Sequence, residues 1–101
     1  MEIQINNGTQ TVISINGRLD AVNVSEFEKA IAPVMDGDMR DVAVDCSALD
    51  YISSSGLRNF LILQKASNAK QGKLTLKGMK PVIKEVFDMT GFSALFSFEQ
   101  E

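Results

Sequence analysis

The chain contains no histidine and a single cysteine, Cys46. These absences remove whole classes of chemistry. Without an imidazole no His-assisted triad can be assembled. A zinc site within one chain would lack its usual ligands, so neither a metal nor a cofactor is expected. One thiol rules out an internal disulfide and points to a cytoplasmic protein. The sequence also lacks G-x-x-x-x-G-K-[ST] and G-x-G-x-x-G, the common phosphate-cradling loops, and the chain is expected not to be an enzyme. Long apolar runs are missing too. The longest uninterrupted aliphatic or aromatic run is "FLIL", residues 60–63, far short of the roughly 18 residues that suggest a membrane span. The start "MEIQINNG" has neither the basic residues nor the apolar stretch of a secretory signal. There is no basic excess: 10 Lys and Arg stand against 13 Asp and Glu, a net charge of −3. Attraction to nucleic acid or anionic lipid is therefore weak. No repeat, linker or low-complexity tract interrupts the chain.

What is present fits one globular domain over residues 1–101, with 45% apolar and 23% charged residues. "EIQINN" and "TVISIN" alternate apolar and polar residues, and Asn7-Gly8 between them predicts a tight hairpin, since glycine takes positive φ freely. From Asn23 to about Met35 the period becomes helical, with Val24, Phe27, Ile31, Val34 and Met35 on one stripe. Asn23 and Glu26 suggest a capping arrangement. Pro33 predicts a kink or an early end, and "DGD", residues 36–38, closes the unit. "VAVDC", residues 42–46, is apolar on both faces, as buried parallel strands are. A helix follows from Ser54 to about Gln71, with Gly72 as its cap. "KLTLKG" is a further strand. Pro81 opens a helix with Val82, Ile83, Val86 and Phe87 buried. Gly91 ends that helix, and "LFSFE" forms a last strand. Strands alternating with helices imply mostly parallel pairing and right-handed crossovers.

The run Ser53, Ser54, Ser55 sits at the junction of a turn and the most apolar helix. Three readings apply to it. Serine is a favoured N-cap. A nucleophilic serine needs an activating base, and no histidine exists to serve, although a Ser-Lys pair is not excluded. A phosphorylated serine would suit the free amides and positive dipole of a helix N-terminus. Arg58, four residues after Ser54, lies on the same helical face and is either a phosphate partner or a solvated surface residue. Leu57, Phe60, Leu61, Ile62 and Leu63 surround the helix instead of forming one stripe. Either neighbouring helices cover the remainder or a partner does.

The stretch "VAVDCSALDYISSSGLRNFL", residues 42–61, resembles the signature of the STAS domain found in bacterial anti-sigma factor antagonists. The likeness extends through the hairpin, "GRLD" at residues 17–20, the strand ending "VDCS", and the closing "VFDMTGFSALFSF" at residues 86–98. It implies an α/β fold: a STAS-type mixed β-sheet with an N-terminal β-hairpin and about three main helices packed on it. It further implies a protein that binds an anti-sigma factor serine kinase, so freeing a sigma factor, and that lets go once phosphorylated. The resemblance places the phosphoacceptor at Ser54, two residues before Gly56. Asp20 matches an acidic position near the acceptor. The residue before the acceptor is often Asp in sporulation-type members and is Ser53 here, which makes Ser53 the second candidate. The expected switch surface comprises Asp20, Ser53, Ser55, Gly56, Leu57 and Arg58, and the expected form is a monomer or weak dimer. The alternative is a stand-alone STAS scaffold subunit of a lipid- or anion-transport or stress-signalling complex, in which the serine is structural.

Overall fold

The computed structural model describes residues 1–37 and 40–99. Five strands form one sheet in the order β1-β2-β3-β4-β5. They are β1 Glu2–Asn7, β2 Thr11–Leu19, β3 Val42–Ile52, β4 Leu74–Lys77 and β5 Ser97–Glu99, and the helices between them are α1 Val24–Asp36, α2 Ser54–Ala69 and α3 Pro81–Thr90. β1 and β2 pair antiparallel, and every other pairing is parallel. The expected mixed sheet, hairpin and three helices are all present.

Alternation along the strands divides the sheet into two unlike faces. On one, Ile13, Val44 and Leu76 stand side by side in register and are fully buried. Against them pack Phe27 of α1, Phe60 of α2 and Phe87 of α3, with successive ring centroids 5.9 Å apart. Phe98 of β5, aligned with Leu76, meets Phe87 edge-on at 5.8 Å, a favoured aromatic geometry. On the other face the register aligns Gln4, Ser14, Asp45, Lys77 and Glu99 in a polar row. Cys46 lies in the core cluster, and burial pushes its thiol pKa up to about 12, with the Asp45 carboxylate adding to the shift.

Several boundaries depart from the sequence expectation, each for a local reason. The hairpin loop spans Gly8–Gln10, closed by Gly8 N donating to the Gln10 carbonyl (3.2 Å), and Gly8 does not use positive φ. β3 does not stop at Cys46 but runs to Ile52, so the turn expected just before the serines is strand. Two register shifts against β2 absorb the extra residues, between Ser14 and Asn16 and between Gly17 and Arg18. Bulges of this kind break strict alternation, and with it the sequence signal. α1 continues through Pro33 to Asp36. Pro33 is exposed, so its missing N–H leaves only a solvent-side carbonyl without a partner. Asp36 ends the helix and Gly37 follows, while Asp38 of "DGD" lies outside the described residues. α2 ends at Ala69, two residues early. Gln71 takes the left-handed conformation (φ 62°), and the Gln71 and Gly72 amides donate back to the Asn68 and Ser67 carbonyls, both at 2.9 Å. Gly72 answers to crowding instead: a Cβ there would run into the Arg40 carbonyl. On α3, Ile83 and Phe87 are buried, but Val82 is 62% exposed. Gly91 caps that helix at φ 80° as expected. Phe92–Leu95 then form a 3-10 turn, which shortens the last strand to Ser97–Glu99.

Candidate functional site

In a parallel sheet the carboxyl ends of the strands and the amino ends of the following helices meet on one rim. Here that rim carries the β2–α1 loop with Asp20, the β3–α2 junction with the serines, and the start of α3. Ser53 N donates to the Leu19 carbonyl at 2.9 Å, joining the first two segments directly. Beneath that bond, Gly56 sits so close to the sheet that a Cβ would lie 2.8 Å from Ile52 Cγ1 and 3.0 Å from Leu19 Cγ. Only glycine lets the first turn of α2 approach this near.

The three serines divide the work. Ser53 is the N-cap in extended backbone, its Oγ accepting from Gly56 N at 3.2 Å. Its hydroxyl also lies 3.0 Å from that of Ser55. Ser54 is the first helical residue and is exposed, and among the described residues its hydroxyl has no hydrogen-bond partner. The first turn of α2 holds no acidic residue, so nothing on the helix itself competes with an incoming anion for the positive end of the dipole.

The remaining expected residues fall into two groups. Asp20 is half-buried. Its Oδ1 accepts from Val22 N (3.0 Å) and Asn23 N (3.2 Å), and its Oδ2 lies 3.8 Å from Arg18 Nε. Arg18 in turn stacks over the Tyr51 ring, 4.2 Å from its centroid. Ser55 and Arg58 border a groove of about 520 Å³ between α1 and α2, together with Glu28, Met35, Asn59 and Ile62. Gly56 and Leu57, expected on the switch surface, are buried and hold the helix to the sheet instead. The apolar ring around α2 also resolves: Leu57, Phe60 and Leu63 are buried, Leu61 is half-buried, and Ile62 remains 40% exposed at the groove.

One polar side chain takes a role other than the expected one, and a second escaped the sequence reading. Asn23 occupies the position before α1 but makes no cap hydrogen bond with its side chain. Its Oδ1 accepts from Asp20 N (2.9 Å) and its Nδ2 donates to the Arg18 carbonyl (2.8 Å), so it ties the loop and not the helix. Asn59 is 5% exposed and donates to the Ser55 carbonyl (3.0 Å) and to Glu28 Oε1 (3.3 Å), joining α2 to α1. Its signal was an amide placed inside the apolar stripe of Leu57, Phe60 and Leu63. Among the described residues, no group of three or more acidic or thiol side chains is placed to hold a metal ion. What remains is an exposed hydroxyl on a helix N-terminus, with no histidine to activate it and a carboxylate in the adjoining loop. Such a hydroxyl is accessible to a group delivered from outside the chain.

A family model, the STAS domain, matches residues 1–101. The chain is 36% identical over 85 residues to BtrV of Bordetella bronchiseptica, assigned as an anti-sigma factor antagonist, a match covering 84% of this chain and 73% of BtrV. It is 30% identical over 83 residues to the anti-sigma-B factor antagonist of Staphylococcus aureus, covering 82% and 77% of the two chains. Among solved structures, the anti-sigma factor antagonist SpoIIAA of Bacillus, in its unphosphorylated form, superposes with a TM-score of 0.82 at 22% identity. That superposition covers 96% of this chain and 87% of SpoIIAA, and it speaks to the fold alone.

Proposed function

The chain belongs to the STAS domain family, and we propose that it is an anti-sigma factor antagonist that binds an anti-sigma factor serine kinase and is switched off by phosphorylation of Ser54. The observation that carries this reading is the division among the serines: Ser53 caps, Ser55 pairs with it, and Ser54 alone of the three is exposed. Ser53, whose Oγ is engaged by Gly56 N and by the Ser55 hydroxyl and which is less exposed, is the second candidate. The names of BtrV and of the Staphylococcus aureus protein support the partner class. On this reading the chain is a cytoplasmic regulatory protein without catalytic activity, a single domain over residues 1–101, and a monomer or weak dimer.

The mechanism is electrostatic. A docking surface built around a neutral hydroxyl receives about −1.5 to −2 charges and three acceptor oxygens on phosphorylation. Asp20 in the adjoining loop adds a like charge, and Arg58, one helical turn on, is the cation nearest in the chain. The test is incubation with a purified anti-sigma factor serine kinase and ATP, followed by mass spectrometry of residues 50–58. Ser54→Ala is expected to stay folded, bind the kinase and take no phosphate. Ser54→Asp is expected to bind more weakly, though it carries one charge only. Phosphate on Ser54→Ala at the wild-type rate would move the acceptor to Ser53 or Ser55.

A further inference from the structure

The loop between β2 and α1 is tied more tightly than a short connection requires. Asp20 Oδ1 accepts from the amides of Val22 and Asn23, at 3.0 and 3.2 Å. Asn23 returns the arrangement, its Oδ1 accepting from Asp20 N at 2.9 Å and its Nδ2 donating to the Arg18 carbonyl at 2.8 Å. Four side-chain hydrogen bonds thus lock four residues, and none of them caps α1 with the Asn23 side chain.

What the lock fixes in place is Val22. It is 90% exposed, the largest exposure among the large apolar side chains of the described residues. The bonds tie the loop between β2 and α1, and a valine side chain held in water there contributes nothing to the core. With its backbone held in one position, it is preorganised for a partner, because the backbone part of the ordering cost of binding is already met. The loop is continuous with the proposed switch through the Leu19 carbonyl and Ser53 N. Alongside stand Arg18 and the part-exposed Tyr51, stacked at 4.2 Å. Arg and Tyr are residue types enriched where binding energy concentrates.

Resting on the reading of Ser54 as the kinase's target, we propose that Val22 is a docking knob. It enters an apolar pocket on the anti-sigma factor serine kinase while Ser54 is presented to the catalytic centre, and Asp20 and Asn23 are positioning residues that hold it. Val22 donates its amide to the lock whatever its side chain, so the knob can be changed without undoing the loop.

The experiment compares wild type, Val22→Ser and Val22→Ile as substrates of the purified anti-sigma factor serine kinase from the same organism, with ATP. It measures KM, kcat and thermal unfolding for each. Val22→Ser is expected to raise KM about tenfold, or about 1.4 kcal/mol, with kcat and the unfolding midpoint unchanged, because binding made equally in ground and transition states is what is removed. Val22→Ile is expected to restore the wild-type KM. A wild-type KM for Val22→Ser overturns the knob while leaving the switch standing. Wild-type chain that neither binds the kinase nor takes phosphate overturns the reading on which the knob rests.

Discussion

Gly56→Ala isolates the contact that seats the serine helix, because two known effects oppose each other there. In an open helix the change is stabilising, since Gly is about 1 kcal/mol less favourable than Ala in a helix interior. At this position the added methyl would stand 2.8 Å from Ile52 Cγ1, 3.0 Å from Leu19 Cγ and 3.1 Å from Leu19 Cδ2. Of these atoms only Leu19 Cδ2 is a side-chain end, and both residues are buried, so the helix must lift or the core must shift. Overpacking of this kind costs roughly 1–3 kcal/mol. The steric effect outweighs propensity by about 1 kcal/mol, which for a domain of this size lowers the midpoint by roughly 4–8 °C. Calorimetry or circular dichroism on wild type and variant reads this directly. A double-mutant cycle sharpens it: in a Leu19→Ala background the methyl has room, and Gly56→Ala should cost less there or stabilise. A rise in midpoint for Gly56→Ala alone would refute the close approach and with it the account of how Ser54 is placed.

Other expectations follow from single residues. Ser53→Ala should cost about 1 kcal/mol of stability through loss of the cap to Gly56 N, whereas Ser54→Ala should unfold within a degree or so of wild type; equal losses in denaturant titrations would contradict the division of roles. Cys46, buried and with its pKa raised to about 12, should resist a thiol reagent at pH 8 in the native state. Labelling at the rate of an unfolded control would show that its strand opens. Lys70→Met should destabilise by about 1 kcal/mol, since Lys70 Nζ donates to the Met35 carbonyl at 2.6 Å and the Val34 carbonyl at 3.3 Å, at the end of a helix with no basic residue in its last turn; an unchanged midpoint would make those contacts incidental.

The order of elements was legible because period is a property of the chain itself: alternation for the hairpin, helical spacing for α1 and α3, and a doubly apolar run at Val42–Val44. The length of β3 was not, because its bulges lie where the polar residues Ser47 and Asp50 imitate a turn. The roles of Asn23 and Asn59 were not legible either, since both depend on which backbone groups the fold brings near them. Asn23 offers the local spacing of a cap, yet the backbone N–H of Asp20, three residues back, claims its Oδ1. For the serines the sequence supplied the candidates and the register. Which hydroxyl caps and which stands free is decided by the approach of Gly56 to Leu19 and Ile52, a three-dimensional fact.

That approach also bears on why a modification site belongs at the first helical position and not in β3 or the core. At Ser54 two fields oppose each other. The helix end favours negative charge by about 0.3–1 kcal/mol, and the Gly56 amide is already held by Ser53, so a phosphate there displaces no existing cap. Asp20, in the loop bonded to Ser53, opposes it by like-charge repulsion that weakens with separation and with salt. Within the fold the two act in opposite directions, so in the proposed switch the phosphate changes stability by less than the larger of them alone. At an interface the balance is different. In the proposed complex the partner would meet the added charge and would have to strip water from it. The same group that the domain accommodates at little cost is therefore expensive to bury against a partner. A switch that can be set and reset without unfolding its carrier needs that asymmetry, and an exposed serine one residue past a glycine-seated cap provides it.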